Sequence, residues 1–429
     1  MSRLLIQGGR VVDPAQNLDR ICDLAIEDGI VREIGTNIQD PGGSERLDAS
    51  GKVVAPGFID IHVHLREPGF EHAETIESGS RAAAAGGFTS VCCMPNTQPV
   101  NDNATVTSYI REQASRHAVV RVYPIGAITK GSAGEELAAI ASMKQAGAVA
   151  ISDDGRPVMN ARVVRRAMEY CRSLDLPLIE HCEDLHLSAG GDMHEGLVST
   201  RLGLRGIPRS SEDVMVARDL ILAELTGCRY HVAHISSQHS VEMVRYAKSR
   251  GLHVTAEATP HHFVLADTDI QPYDSNFKMK PPIRENRDVR GVLEGLVGGA
   301  IDAIATDHAP HAGAEKMQEF ERCPFGIIGL ETALGLALEQ LYHPGHVDLA
   351  AVVALFTHRP ASVLSLPGGN LRVGSPADVT IFGTDHEWTY DVNRSPSKSR
   401  NTPFHGRKFR GGPLAAIVGG ELIWQSDLV

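Results

Sequence analysis

Along the middle of the chain, short apolar runs alternate with polar loops and with Ala/Leu/Glu-rich stretches of helical period. Eight such runs stand out, at residues 57–64, 87–94, 119–125, 148–152, 177–181, 229–234, 253–258 and 301–307. Each has the length of a strand, and a helical stretch follows each. Eight β-then-α units across about 300 residues are what a (β/α)8 TIM-like barrel requires, and such a barrel places its active site at the C-terminal ends of the strands. The two chain ends read differently. Residues 4–7, 10–12, 23–27, 30–34 and 52–55, and again 377–383, 414–418 and 421–424, are short strand-like runs punctuated by Gly and Pro, with no helical period. Neither end can bury both faces alone, so the expectation is one small β-sandwich-like domain built from both. The predicted organisation is residues 1–55 and 366–429 for the β layer and residues 56–365 for the barrel.

Composition fits a folded α/β protein. The chain has 429 residues, 42% of them hydrophobic, and 53 Asp+Glu against 41 Lys+Arg give a net charge of −12. That balance argues against disorder and against non-specific binding to nucleic acid or an anionic membrane. Six basic residues and no carboxylate lie between Arg394 and Arg410, a run that reads as a solvated face. Seven cysteines are scattered with no C-x-x-C pair, which points to a reducing, cytoplasmic compartment. No apolar stretch approaches the ~20 residues that a bilayer span needs, so neither signal peptide nor transmembrane helix is expected.

The chemistry gathers at the ends of the runs. The first ends Asp60-Ile61-His62-Val63-His64, the fourth Ser152-Asp153-Asp154-Gly155, the fifth Glu180-His181-Cys182, the sixth His231-Val232-Ala233-His234 and the eighth Ala305-Thr306-Asp307-His308. Two histidines two apart on a strand share a face and can chelate one metal. With 20 histidines in the chain, chance alone gives about one H-x-H, so the weight comes from position. His181, His234 and Asp307 end three further strands that point at the same barrel mouth. Nitrogen and carboxylate donors without a thiolate suit zinc or another divalent ion in a hydrolytic site.

The stretch Pro56-Gly57-Phe58-Ile59-Asp60-Ile61-His62-Val63-His64-Leu65-Arg66-Glu67-Pro68-Gly69 resembles the metal-binding opening of the amidohydrolase superfamily, and of the long bacterial dihydroorotases in particular. Met94-Pro95-Asn96-Thr97, Ser152-Asp153-Asp154-Gly155, Glu180-His181-Cys182-Glu183-Asp184, the segment from Ala305 to His311, the segment from Pro324 to Thr332, and Lys398-Ser399-Arg400-Asn401-Thr402-Pro403-Phe404 resemble further motifs of that family, in its order. The resemblance implies interconversion of N-carbamoyl-L-aspartate and L-dihydroorotate in pyrimidine synthesis. It implies Zn2+, two per subunit, held by His62, His64, Asp154, His181, His234 and Asp307, with Asp307 also the proton shuttle. Zn2+ would lower the pKa of its water to about 7, supplying a nucleophile at neutral pH.

Many amidohydrolases bridge two metals with a lysine after the fourth strand. Here that place reads Ala150-Ile151-Ser152-Asp153-Asp154-Gly155, and the resemblance implies an aspartate instead. Asp154, 27 residues before His181, matches the family spacing; Asp153 is the alternative, with a turn-capping role left to the other. For substrate, Arg66 is the expected carboxylate partner, because a guanidinium binds a carboxylate bidentately. Asn96 and His311 are expected to add hydrogen bonds. In Phe277-Lys278-Met279-Lys280-Pro281-Pro282-Ile283-Arg284, Lys280 stands where the family commonly has a substrate-contacting Asn. An ammonium can donate but cannot accept, so Lys280 is either a contact to an anionic ligand or a solvated loop residue. Residues 311–323 are a candidate lid, with a static loop as the alternative.

The resemblance further suggests a homodimer and an association with aspartate carbamoyltransferase. Two other readings compete. A hydantoinase or allantoinase would carry the bridging lysine, and a non-catalytic dihydroorotase-like subunit that supports the transcarbamoylase would have lost ligands, whereas all six positions are filled here.

Overall fold

A computed structural model describes residues 3–39 and 43–427. Eight parallel strands form its centre: β1 (Phe58–Val63), β2 (Phe88–Cys93), β3 (Arg121–Pro124), β4 (Ile151–Ser152), β5 (Leu178–Glu180), β6 (Tyr230–Val232), β7 (Val254–Ala258) and β8 (Ala303–Ile304). Most of their residues are buried whichever way they point, as expected when parallel strands are covered on both faces. β1 to β3 make one ladder and β4 to β8 another, all pairs parallel. Single parallel bridges span the two seams, Gly126 with Ile151 and Val63 with His308. Asp60 reinforces the second seam from β1: its carboxylate accepts from Thr306 N, Thr306 Oγ1 and His62 N.

Helices return the chain between strands. Thr75 shows how one starts: its hydroxyl accepts from Ser78 N while Ser78 Oγ accepts from Thr75 N, a reciprocal cap on Ile76–Ala85. Among the described residues no helix is long and apolar enough to cross a membrane, and all seven cysteines are free and buried.

Both chain ends share one sheet. Its strand order is Glu421–Gln425, Lys408–Val418, Val379–Thr389, Val53–Pro56, Arg3–Asp13, Leu18–Glu27, Ile30–Gly35, with Glu45–Asp48 pairing beside Arg3–Asp13. Alternation along these strands serves two cores. Val53, Ala55, Phe382 and Ala416 face the parallel strands and their helices, while Val54, Ile381, Ala415 and Ile417 join Leu4, Ile6 and Val11 on the other side. At the junction with the parallel strands, the Phe58 ring lies 5.1 Å from Phe356, 5.8 Å from Phe382 and 6.2 Å from Phe88.

Several element boundaries depart from expectation. The two runs 4–7 and 10–12 are one strand with a bulge, because the register shifts between Ile6 and Gly9. A Cβ at Gly9 would lie 2.5 Å from Val54 Cγ2, so only glycine lets the strands approach there. Strand Glu45–Asp48 has one apolar residue in four and carried no alternating signal. Runs 229–234 and 301–307 leave their ladders early: the backbone turns left-handed at His234 (φ 30) and at Asp307 (φ 46).

Thr380 joins the two layers. Fully buried, it accepts from Phe58 N at 3.0 Å and donates to Gly87 O at 2.6 Å. Thr380→Val keeps the shape and strands both backbone groups. Urea denaturation should show a loss of about 1–3 kcal/mol, and an unchanged midpoint would mean the junction rests on packing alone.

Candidate metal centre and active site

Every expected ligand sits at the same edge of the parallel strands. His62 and His64 close β1, Asp154 follows β4, His181 follows β5, His234 follows β6 and Asp307 follows β8. His62 is fully buried, and its Nδ1 lies 2.6 Å from Glu257 Oε1. With Nδ1–H donated to that carboxylate, Nε2 presents its lone pair to the cluster, where it has no hydrogen-bond partner. His181 is fixed in the same manner, with Nε2 2.9 Å from Glu183 Oε2, so its Nδ1 lone pair points inward, 2.9 Å from His234 Nε2. His64 is held from both sides, Nδ1 2.9 Å from Asn96 Oδ1 and Nε2 2.8 Å from Asp307 Oδ1.

Asp154 stands between these imidazoles. Oδ1 is 3.4 Å from His62 Nε2, 3.5 Å from His234 Nε2 and 3.8 Å from His181 Nδ1, while Oδ2 is 3.5 Å from His64 Nε2. Oδ1 is buried and has no hydrogen-bond donor. Two groups of ligand atoms, each within 4.8 Å of one another, follow: His62, His64 and Asp307, and His62, Asp154 and His234. Buried acceptors that converge without a donor match a site for a cation. Asp153 points elsewhere. It accepts from Ile128 N, Thr129 N and Thr129 Oγ1, tying the loop after β3 rather than capping its own turn.

Burial opposes the charged forms of His62, Asp154, His234 and Asp307. For Asp307 the opposition is overcome by the charge of His62 and the hydrogen bond of His64, which bring its carboxyl down to about 2. Three of the site residues hold left-handed backbone: Arg66 (φ 62), His234 (φ 30) and Asp307 (φ 46). Such conformations cost roughly 1–3 kcal/mol each in a non-glycine residue and persist where the surroundings fix them.

A cavity of about 300 Å³ opens beside the cluster, lined by Arg66, Asn96, Asp154, Arg156, His311 and Pro324 among others. A larger cleft of about 410 Å³ around Trp388, Tyr390 and Trp424 holds none of these groups. Arg66 donates Nε–H to Pro310 O at 3.0 Å, and its Nη2 lies 3.4 Å from His311 Nε2. His311 sits 2.8 Å from Phe325 O through Nε2, and burial with the neighbouring Arg66 charge lowers it to about 3, so the ring is neutral. Lys280 does not line this cavity. Its Nζ is 2.8 Å from Glu183 Oε1 and lies over the Phe325 ring. The candidate lid is tethered: Lys316 Nζ donates to Pro324 O and Gly326 O, and Lys278 Nζ to Phe320 O and Glu321 O.

Three supporting residues had no role assigned from sequence. Glu257 is 1% exposed and also meets His231 Nε2 at 3.1 Å and His234 N at 3.3 Å; a carboxylate inside the apolar run 253–258 was its signal. Glu183 and Asn401 lay in quoted motifs. Asn401 Oδ1 accepts from His311 N while its Nδ2 donates to Ala309 O and Gly326 O.

A family model described as dihydro-orotase-like matches residues 51–240. The chain is 68% identical over 421 residues to a protein of Solibacter usitatus named dihydroorotase, covering 98% of each. It is 54% identical over 427 residues to a dihydroorotase of Pelotomaculum thermopropionicum, covering the whole of both. Among solved structures, an L-hydantoinase (dihydropyrimidinase) from Arthrobacter aurescens superposes with a TM-score of 0.89 at 25% identity, over 99% of this chain and 96% of that one. A dihydropyrimidinase from Brevibacillus agri, at 20% identity and TM-score 0.86 over 99% and 95%, shares the fold.

Glu257→Gln tests whether the buried carboxylate orients His62 as a donor. Divalent-metal affinity, read by competition with a chromophoric chelator, should fall about 10–100-fold; an unchanged affinity would remove Glu257 from that role.

Proposed function

The chain belongs to the dihydroorotase family, and from that membership we propose that it interconverts N-carbamoyl-L-aspartate and L-dihydroorotate, in pyrimidine synthesis, at the cluster between His62 and Asp307. The observation that carries this reading is the convergence of His62, His64, Asp154, His234 and Asp307, with His181 Nδ1 3.8 Å from Asp154 Oδ1, around two buried atoms without a hydrogen-bond partner, His62 Nε2 and Asp154 Oδ1, beside a cavity lined by Arg66. That donor set fits divalent metal of the zinc type. His62, His64 and Asp307 would hold one ion, and His181 and His234 a second, with the two oxygens of Asp154 reaching toward both groups. Two Zn2+ per subunit is the count we propose. Such ions, when bound, supply a nucleophile from water at neutral pH and polarise the carbonyl under attack.

The chain's own residues do the rest. Asp307, ionised at neutral pH, takes the proton of the attacking water and returns it to the departing ring nitrogen. Ring closure runs the same transfer backwards, so one carboxylate serves both directions. Arg66 holds the substrate carboxylate; its Nε is oriented by Pro310 O, its Nη2 lies beside His311, and Nη1 has no hydrogen-bond partner among the described residues. Asn96, fixed between His64 and Asp154, offers an amide to the substrate. Neutral His311 adds a hydrogen bond without a second charge. Lys280 acts through Glu183 on His181 in this reading.

The same proposal takes the eight strands as a closed (β/α)8 barrel of residues 56–365, flanked by the layer of residues 1–55 and 366–429. Both seam bridges support closure, as does one core cluster that gathers Ile59, Cys92, Ile179 and Ala303 from four strands with Ile125, Ala150 and Ala233, each one residue outside another strand. Seven free thiols fit a cytoplasmic setting. Val214, Ile221 and Leu225, exposed along one face of Ser210–Thr226, fit a homodimer.

Asp307→Asn should keep the fold and the circular dichroism of the wild type while losing about 10²–10⁴ of turnover, equally in ring opening and ring closure. Zinc-loaded wild-type protein that failed to open dihydroorotate would end the enzyme reading. Lys280→Asn should leave KM unchanged and weaken metal retention; a raised KM with metal intact would make Lys280 a substrate contact.

A further inference from the structure

Away from the described site, a second group of metal-capable side chains lies between the loop after β5 and the helix after β7. His194 closes a two-residue strand, Met193–His194, that pairs with Gly206–Ile207. It is 2% exposed, and neither ring nitrogen has a hydrogen-bond partner. A buried imidazole with both nitrogens unsatisfied is costly unless something occupies the space they face. Around them stand two carboxylates, Glu285 and Asp288, and two guanidiniums, Arg209 and Arg284. One ligand atom each from His194, Glu285 and Asp288 lie within 4.8 Å of one another. Asp288 is fully buried at the start of the helix Asn286–Val297; Oδ1 accepts from Gln238 N, and Oδ2 has no partner. Asp267 joins from the other side, since a Cβ on Gly196 would lie 3.7 Å from Asp267 Oδ2, 3.3 Å from Glu285 Oε1 and 3.7 Å from the His194 ring.

Charge at this place is not balanced by protein alone. Glu212 pairs with Arg284 at 3.2 Å, Glu285 with the exposed Arg287 at 3.0 Å, and Asp288 with Arg209 at 3.4 Å. Asp267, 4% exposed, has no ion-pair partner among the described residues. Neither His194 nitrogen reaches a hydrogen-bond partner and Asp288 Oδ2 accepts from none, so a cation between the imidazole lone pair and the carboxylates would satisfy acceptors that the protein leaves open. We infer that His194, Glu285 and Asp288 hold a divalent metal ion of the zinc class, separate from the cluster at His62 and Asp307. Neutral imidazole and carboxylate are the donors such an ion takes, with water completing the shell. Unpaired N–H groups on Arg209 and Arg284, which border His194, are placed to donate to that water.

The ion's place gives it a bracing role. It links the Met193–His194 strand to residues 285–288, a few residues beyond Lys280, whose ammonium meets Glu183 behind His181. Removing it should loosen one wall of the site without touching the reacting groups.

Metal-to-protein stoichiometry tests this, by atomic emission after zinc loading and gel filtration of the wild type, His194→Asn and Asp288→Asn. Each variant should lose one ion per chain relative to the wild type, keep ring-opening activity, and lose part of the zinc-dependent rise in thermal midpoint. Cobalt-loaded protein should lose the matching share of its visible absorption. Unchanged stoichiometry in both variants overturns the site; so does loss of every ion from a folded variant, which would place His194 among the supports of the first cluster. Because the readout is a difference between proteins, it does not depend on how many ions that cluster holds. Should His194→Asn fail to fold, Glu285→Gln at the half-buried ligand decides between the same outcomes.

Discussion

Glu257 is a carboxylate buried in the middle of a parallel strand, and the order of the site depends on how it is satisfied. In a low-dielectric interior an unpaired carboxylate is untenable. Here its two oxygens meet His62 Nδ1 and His231 Nε2, and His234 N approaches as well. Each of those contacts does two things. It settles the charge of Glu257, and it selects which nitrogen of His62 carries hydrogen, so that the other is turned toward Asp154 and Asp307. Glu183 repeats the device on His181. Two carboxylates outside the cluster thus fix the donor atoms inside it, at the ends of strands buried on both faces.

Rigidity at the strands permits distortion at their ends. Arg66, His234 and Asp307 all hold positive φ where the chain leaves a strand, and each has neighbours that fix it there. Arg66 hands Nε to Pro310 O, Asp307 is bonded to His64, and His234 is anchored through its backbone nitrogen. The same distortion ends strands β6 and β8 sooner than the apolar runs do. A side chain that would lie in the pleat of a longer strand instead turns over the strand ends, so the short ladders and the converging ligands have one cause.

That cause explains what could be read from the residues and what could not. Eight apolar runs with His or Asp at their ends were visible as local patterns, because burial and strand period are local. The shared sheet of the two chain ends was visible for the same reason, since neither end could cover itself. Long-range partners were not. Nothing near Asp153 announces that its carboxylate closes a loop after β3 while Asp154 enters the cluster; only the paths of two strands separate them. Lys280 was read as a substrate contact or a solvated residue, and its ion pair with Glu183 depends on folding the β5 and β7 loops together. His194 looked like one of fifteen unremarked histidines until its neighbours were in place.

An acidic chain that handles an anionic substrate must separate two kinds of charge. On the strand side, carboxylates face imidazoles and leave acceptors unfilled, which attracts cations. On the loop side, Arg66 and Arg156 line the cavity beside a neutral His311. Their contacts differ as well. Arg66 is tied at Nε by Pro310 O, whereas Arg156 has no ion pair among the described residues and follows the turn at Gly155. In the proposed reaction, ring closure consumes one of the substrate's two acids, the one that reacts at the metal cluster, so the guanidinium of Arg66 is left for the acid that both forms keep.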